Sequence, residues 1–396
     1  MSAPCSCSLI LPTRNRRAVL ADTLARLHQL PDDDFEIVVV DNGSTDDTTG
    51  LTARFPAVHW IFLGENLAAA ARNVGAAAAR GEVLLMLDDD SWPEPGVVDG
   101  LSETFQDRPD LGAVACRVRL ADRPHRHDAG GVPGVFFNCG GAIRRSAFME
   151  VGGFPADFEY YVEEYDLCCR LWRAGWRVEP RGDFTVWHRR VTVNRDNRRM
   201  LRLLTRNNLR LWHRYAPEPL REDLISATVE RYRRVARKEQ ALEGYLQGLE
   251  EGRAEIAEGL IRRRPLNMKQ MEELFGLPAA RTALRQWADE AGVERVAVWT
   301  RGKGCEQLID LLREGSIAVE AVYDTTVDAG DWRHAPLRPI ESFEPRRVDG
   351  IVAGTLSPGV AEDLVDDLRG RFGDVPALSA APWKAAQPAE TAAALP

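Results

Sequence analysis

Val83-Leu84-Leu85-Met86-Leu87 runs directly into Asp88-Asp89-Asp90. Five apolar residues in a row fit a buried strand, and this one delivers three carboxylates at its C-terminal tip. Like charges this close repel, so one of them stays protonated unless a cation or hydrogen-bond donors compensate. Hard divalent cations such as Mg2+ or Mn2+ are bound by one or two carboxylates together with the oxygens of a substrate diphosphate. A solvated acidic turn is the plainer reading. The strand before the aspartates and the Ser91-Trp92-Pro93 after them favour a metal and phosphate site.

Working outward, Cys7 to Leu11 and Phe35 to Val40 read as two further strands. The first ends in Pro12-Thr13-Arg14-Asn15 and feeds a helix carrying Val19, Leu20, Leu24 and Leu27. The second ends in Asp41-Asn42-Gly43-Ser44, and an alanine-rich helix over 67–80 precedes Val83. Strands alternating with helices at this spacing imply a parallel α/β sheet with right-handed crossovers. Ligands of such sheets bind beyond the carboxyl ends of the strands. That rule gathers Pro12, Thr13, Asp41 and Asp88 to Asp90 along one rim. Arg72 offers its guanidinium fork to a phosphate or a base edge. Further on, Gly140-Gly141 permit close backbone approach. Glu163-Glu164-Tyr165-Asp166 starts a helix that Gly175 closes, and a carboxylate there can act as a general base. His188 ends a strand over 177–187 and reads either as a neutral metal-binding imidazole or as a surface histidine.

At 396 residues the chain has room for two or three domains. A net charge of -9 argues against a general nucleic-acid binder. Apolar runs are strand-sized, short of the ~20 residues that span a bilayer, and Met1 to Pro12 reads as strand plus turn rather than a signal peptide. The seven cysteines lack a paired framework, which points to reduced thiols in the cytoplasm. Residues 189–264 are arginine-rich with helical periodicity. They fit amphipathic helices packed on the first domain, or a cationic face for an anionic polymer, a sugar-lipid or the inner face of a membrane. Another helical stretch covers 268–292. Beyond it, 295–300, 318–323 and 350–353 read as strands, with a helix over 305–313. The turn Thr300-Arg301-Gly302-Lys303-Gly304 opens that helix and can hold an anion on its backbone amides. It is no Walker motif, and Gln307 occupies the third glycine position of a dinucleotide fingerprint. The expected organisation is a first domain over 1–215, a helical connector over 216–292, a small Rossmann-like α/β domain over 293–380 and a disordered alanine- and proline-rich tail over 381–396.

The ordered set Leu11-Pro12-Thr13-Arg14-Asn15, Val39-Val40-Asp41-Asn42-Gly43-Ser44, Ala71-Arg72-Asn73-Val74-Gly75, Leu87-Asp88-Asp89-Asp90, Gly140-Gly141, Gly152-Gly153-Phe154, Glu163 to Arg170 and His188 resembles family 2 inverting glycosyltransferases of the GT-A fold, with a rhamnosyltransferase-like helical extension. The resemblance implies a nucleotide-diphospho-sugar donor and Mg2+ or Mn2+. Pro12, Thr13, Asn15, Asp41, Arg72, Asp88 and Asp89 would bind the donor, with Asp41 and Arg72 at the nucleoside and Asp88 at the ribose. Asp90 and His188 would hold the metal, and Gly140 and Gly141 would line the sugar and acceptor pocket. Glu164 stands where the family has its catalytic aspartate, and would deprotonate an acceptor hydroxyl of a glycan, glycolipid or small molecule. A nucleotide-sugar-binding scaffold without transfer activity is the alternative reading, and self-association is left open.

Overall fold

The computed structural model describes residues 5–128, 130–191, 196–325 and 330–384. Nine strands build the first sheet: β1 (Cys7–Thr13), β2 (Phe35–Asp41), β3 (His59–Phe62), β4 (Val83–Met86), β5 (Ser91–Pro93), β6 (Leu111–Leu120), β7 (Arg123–His127), β8 (Gly141–Arg144) and β9 (Arg177–His188). Their order is β3-β2-β1-β4-β8-β6-β9-β5, with β7 added to β6. Helices α1 (Arg17–Leu27), α2 (Ala71–Ala78), α3 (Val97–Asp107), α4 (Arg145–Val151) and α5 (Glu163–Ala174) cover it. The first four strands are parallel, as their alternation with helices predicts. Beyond them β8 runs antiparallel to both β4 and β6, making the sheet mixed. This is the α/β architecture that the GT-A resemblance implies.

Successive strand residues feed opposite cores. Ile10, Val38, Leu84 and Met86 join one hydrophobic cluster, while Leu9, Leu11, Val39 and Leu85 join the other. Both faces are therefore dry, which is why these strands read as unbroken apolar runs. Pairing places Thr13 opposite Asp41 and Ile10 opposite Met86. The polar tips thus emerge side by side.

The arginine-rich stretch forms α6 (Asn197–Tyr215), packed against α7 (Glu218–Lys238) and α8 (Leu242–Ala257); α9 (Met268–Phe275) and α10 (Leu277–Ala291) follow. Arginines of α6 are taken up in ion pairs with neighbouring helices and loops. Arg198, Arg202 and Arg210 of α6 pair with Glu243, Glu251 and Glu255 of α8, and Arg199 and Arg206 share Glu159. Arg214 pairs with Asp166 at 2.8 Å. The charges meet because α8 lies on α6 through Gly244 and Gly248. A Cβ on Gly248 would stand 2.2 Å from the Arg202 carbonyl oxygen. Gly248→Val is therefore expected to push the helices apart and cost about 1–3 kcal/mol. A thermal melt unchanged from wild type would refute the close contact.

The second sheet combines β10 (Arg295–Trp299), β11 (Ala318–Asp324), β12 (Asp331–Trp332), β13 (Ala335–Pro339), β14 (Gly350–Ala353) and β15 (Ala377–Leu378), flanked by α11 (Cys305–Glu314) and α12 (Pro358–Arg371). Its core strands are parallel in the order β13-β11-β10-β14-β15. The start of the expected tail is ordered by contacts. Trp383 Nε1 donates to Glu362 at 2.8 Å, and Lys384 donates through its amide to the Pro180 carbonyl at 3.0 Å and through Nζ to Glu179 at 2.8 Å. Residues 385–396 lie outside the described residues. Among the described residues no helix is long and apolar enough to cross a membrane.

Candidate active site

The three aspartates at the tip of β4 have three different environments. Asp89 is buried; its carboxylate accepts from Thr13 Oγ1 at 2.8 Å and pairs with Arg16, which sits at the start of α1. Burial nevertheless pushes its carboxyl up to about 7, against the pull of Arg16. Asp90 is also buried. It accepts from Arg16 Nη2 at 2.9 Å and the Val191 amide at 2.8 Å, and its Oδ1 lies 3.2 Å from His188 Nε2. Burial alone would raise the Asp90 carboxyl, but His188 and Arg16 hold it well below the usual carboxylate range. Asp88 is the accessible member, 34% exposed and paired through Oδ1 with the buried Arg72.

His188 at the end of β9 is fixed by Asp128, whose Oδ2 lies 2.6 Å from Nδ1. Burial disfavours the imidazolium, yet Cys139, Asp128 and Asp90 outweigh it and raise the ring above its ordinary value. Asp88 Oδ2 and Asp90 Oδ1 stand 3.9 and 3.2 Å from His188 Nε2. An octahedral cation with bonds of about 2.1 Å wants neighbouring ligands about 3 Å apart; among the described residues Asp88, Cys139 and His188 bring ligand atoms within 4.8 Å of one another, and Asp90 adjoins this group through His188. Cys139 Sγ is close by, but burial pushes that thiol up to about 12 and leaves the oxygen and nitrogen donors to act. The histidine braced by a carboxylate is a common support for a metal-binding imidazole.

Across the rim, α5 presents two glutamates. The segment before it is held in left-handed backbone at Glu159, Tyr161 and Val162, with φ of 62°, 68° and 72°. Such conformations cost energy unless their surroundings fix them. The fully buried Asn207 of α6 does so, its amide within 2.8, 3.0 and 2.9 Å of the carbonyl oxygens of Phe158, Tyr160 and Tyr161. Glu163 is buried, accepts from Asn138 Nδ2 at 2.7 Å, and leaves Oε2 with no partner among the described residues. Burial and the Glu164 charge raise Glu163 well above the ordinary carboxyl value. Burial also raises Glu164, with Lys303 and Arg72 pulling the other way. Glu164 lines two spaces at once: a cleft of about 460 Å³ over Thr13, Arg72 and Asp88, and a cavity of about 520 Å³ that reaches Lys303 and Gly304 of the second domain.

Residues 8–152 match the family described as glycosyl transferase family 2. The match lies within the first domain, which is similar to family 2 glycosyltransferases over that span. A glycosyltransferase of unassigned role from Haemophilus influenzae is 25% identical over 191 residues, covering 41% of this chain and 61% of that protein. The N-acetylglucosaminyl-diphospho-decaprenol L-rhamnosyltransferase of Mycobacterium tuberculosis is 26% identical over 203 residues, covering 39% and 66%. The chain thus spans about three-fifths of the first relative's length and just under two-thirds of the second's. A mannosyltransferase from Pyrobaculum calidifontis, solved with GDP-Man and Mn2+, superposes with a TM-score of 0.43 at 18% identity, covering 65% of this chain and 87% of that one.

The first domain brings Pro12, Thr13, Arg72, Asp88, Asp89 and Glu164 to one cleft, with Asp90 and His188 immediately behind it. Two residues expected to bind the donor, Asp41 and Asn15, also hold loops. Asp41 is buried and caps its own turn, accepting from the Ser44 amide at 2.8 Å, and the cleft wall there is Asn42. Asn15, at φ 54°, accepts from the Thr45 amide at 2.7 Å and ties the β1 loop to the β2 loop. Gly140 and Gly141 are correct as sites of close approach but line neither space. A Cβ on Gly141 would stand 2.3 Å from the Phe136 ring, so these glycines seat the backbone that carries Phe137 and Asn138 to the cleft. Sequence reasoning missed Arg16, Asp128 and Lys303 as site residues. Lys303 carried a signal, since its turn reads as an anion site, but nothing local shows that it faces the first domain.

Proposed function

We propose that the chain transfers a sugar from a nucleotide-diphospho-sugar to an acceptor hydroxyl, inverting the anomeric carbon. The observation that carries this reading is the place of Glu164, on the shared wall of the rim cleft and the second cavity. In this reading the cleft takes the donor and the cavity takes the acceptor. Glu164 then accepts the hydroxyl proton from the side opposite the departing diphosphate. A carboxyl raised by burial is a stronger base than an ordinary one. Burial and the Glu164 charge raise the Glu163 carboxyl beside it, while Asn138 donates to its Oε1.

Asp88, Asp90 and His188 would hold a divalent cation, which when bound offsets charge on the leaving diphosphate. Arg72 orients Asp88 and offers its second function to the donor, and Asp128 fixes the His188 ring. Residues 1–215 serve as the catalytic unit, 216–292 as the connector and 293–384 as a partner to the acceptor side. The seven free cysteines support a cytoplasmic setting.

Incubation with UDP-, dTDP- and GDP-sugars is expected to release nucleoside diphosphate with Mn2+ or Mg2+ and to stop with chelator. NMR of the product is expected to show the opposite anomer to the donor. Release that ignores chelator sinks the metal assignment, a retained anomer sinks the single-displacement chemistry, and donor binding without release points to a scaffold.

A further inference from the structure

We infer, resting on the transfer reading above, that the second domain builds half of the acceptor site, and that the acceptor is a compact amphipathic molecule whose anionic group is bound by Lys303 and Arg231. The cavity of about 520 Å³ lies between α5, the connector helices and the turn that opens α11. Its volume suits a small molecule. The helices contribute an apolar patch of Met200, Leu204, Trp212, Leu224 and Phe275, beside Asn208, Thr228 and Tyr232. A bare sugar would leave hydroxyls unpaired against that patch, at a cost in binding. An apolar body would not.

The cavity's charged groups are Lys303 of the turn before α11 and Arg231 of α7, with Arg190 and His188 and the carboxylates of Asp128, Glu164 and Glu306 also on its lining. Lys303 Nζ donates to the Gly130 carbonyl at 2.8 Å and stands 5.5 Å from the Tyr165 ring centroid. An ammonium has three donors, and among the described residues Lys303 forms no ion pair. Arg231 spends Nη2 on the Gly302 carbonyl at 2.5 Å and lies 3.8 Å from Glu306, while its buried Nε has no hydrogen-bond partner among the described residues. Two half-buried cations side by side repel. Burial and the Arg231 charge lower Lys303 to about 8, with Glu164 opposing them. Glu306 offsets part of the Arg231 charge, and Glu164 and Asp128 on the same lining offset part of the Lys303 charge. An anion held between Lys303 and Arg231 relieves the repulsion and leaves the acceptor's hydroxyl beside Glu164.

Two fluorescent probes of matched shape test this: 8-anilinonaphthalene-1-sulfonate, an apolar anion, and uncharged N-phenyl-1-naphthylamine. The full chain is expected to bind one sulfonate, about tenfold more tightly than the amine. Lys303→Met should weaken the sulfonate about tenfold and leave the amine unchanged, Lys303→Arg should restore most of the loss, and Leu224→Trp should block both by filling the cavity. Equal affinity for the two probes overturns the anion assignment. So does sulfonate binding unaffected by Lys303→Met, or by Arg231→Met should the first variant not fold. Binding that survives Leu224→Trp overturns the cavity assignment. Nucleotide release with water as acceptor reads the transfer reading separately. Release without probe binding sinks the acceptor site alone, and probe binding without release sinks the transfer reading alone.

Discussion

Replacing Glu164 by glutamine is expected to lower sugar transfer by about 10²–10⁴-fold while the nucleotide still binds. The amide keeps the shape of the side chain on the wall between the two spaces but cannot take the acceptor proton. Glu163 is not expected to substitute: it is buried, accepts from Asn138, and lines the donor cleft but not the second cavity. Steady-state rates alongside calorimetric titration with nucleoside diphosphate separate chemistry from binding. Near-normal turnover in this variant would remove Glu164 from the role of base. Glu164→Asp supplies the finer comparison. It restores the residue expected from the family resemblance but withdraws the carboxylate by one methylene, and misplacements of about 1 Å can cost about 10²-fold. A fully active aspartate variant would mean that the glutamate's length has no bearing on the geometry.

The second large effect separates two aspartates that look equivalent in the sequence. Asp88→Ala is expected to abolish transfer with little change in melting temperature, because Asp88 is 34% exposed, pairs with Arg72 and stands 3.9 Å from His188. Asp90→Ala should abolish transfer and also destabilise the fold. Asp90 receives Arg16, the Val191 amide and His188 in a buried setting. Removing one partner of a buried ion pair leaves an uncompensated charge, at about 3–5 kcal/mol. Matching melting temperatures for the two variants would contradict the environments described for them.

The rim was legible because it follows from local rules. Apolar runs marked β1, β2 and β4, and polar residues directly after a parallel strand fall at its carboxyl end. Pairing then sets Thr13 against Asp41 with no further information. The second sheet was legible for the same reason. Other features depend on contacts far apart in the chain, which carry no periodicity. Asp128 meets His188 across 60 residues, and Lys303 meets Gly130 across 173. The arginines of α6 were visible as charges, but only the packing of α8 through Gly244 and Gly248 shows which carboxylates neutralise them. Asp41 illustrates the reverse case, where a local contact was not legible. It stands at the right strand end, yet its carboxylate satisfies its own turn and hands the cleft position to Asn42.

With the second cavity as the proposed acceptor site, the contacts at Lys384 bear on how an acceptor would be selected. Leaving the first sheet after β9, the chain passes through the helices and the second sheet, then returns to rest on Pro180 and Glu179 of β9 itself. Arg126 and His127 of β7 add ties to Asp367 and Asp363 of α12, each at 2.7 Å. A body fastened to another at both ends resists hinge motion, unlike one hung on a single linker. The space between the two sheets is then set before any ligand arrives, so molecules are sorted by whether they fit a fixed gap rather than by whether they can draw two lobes together.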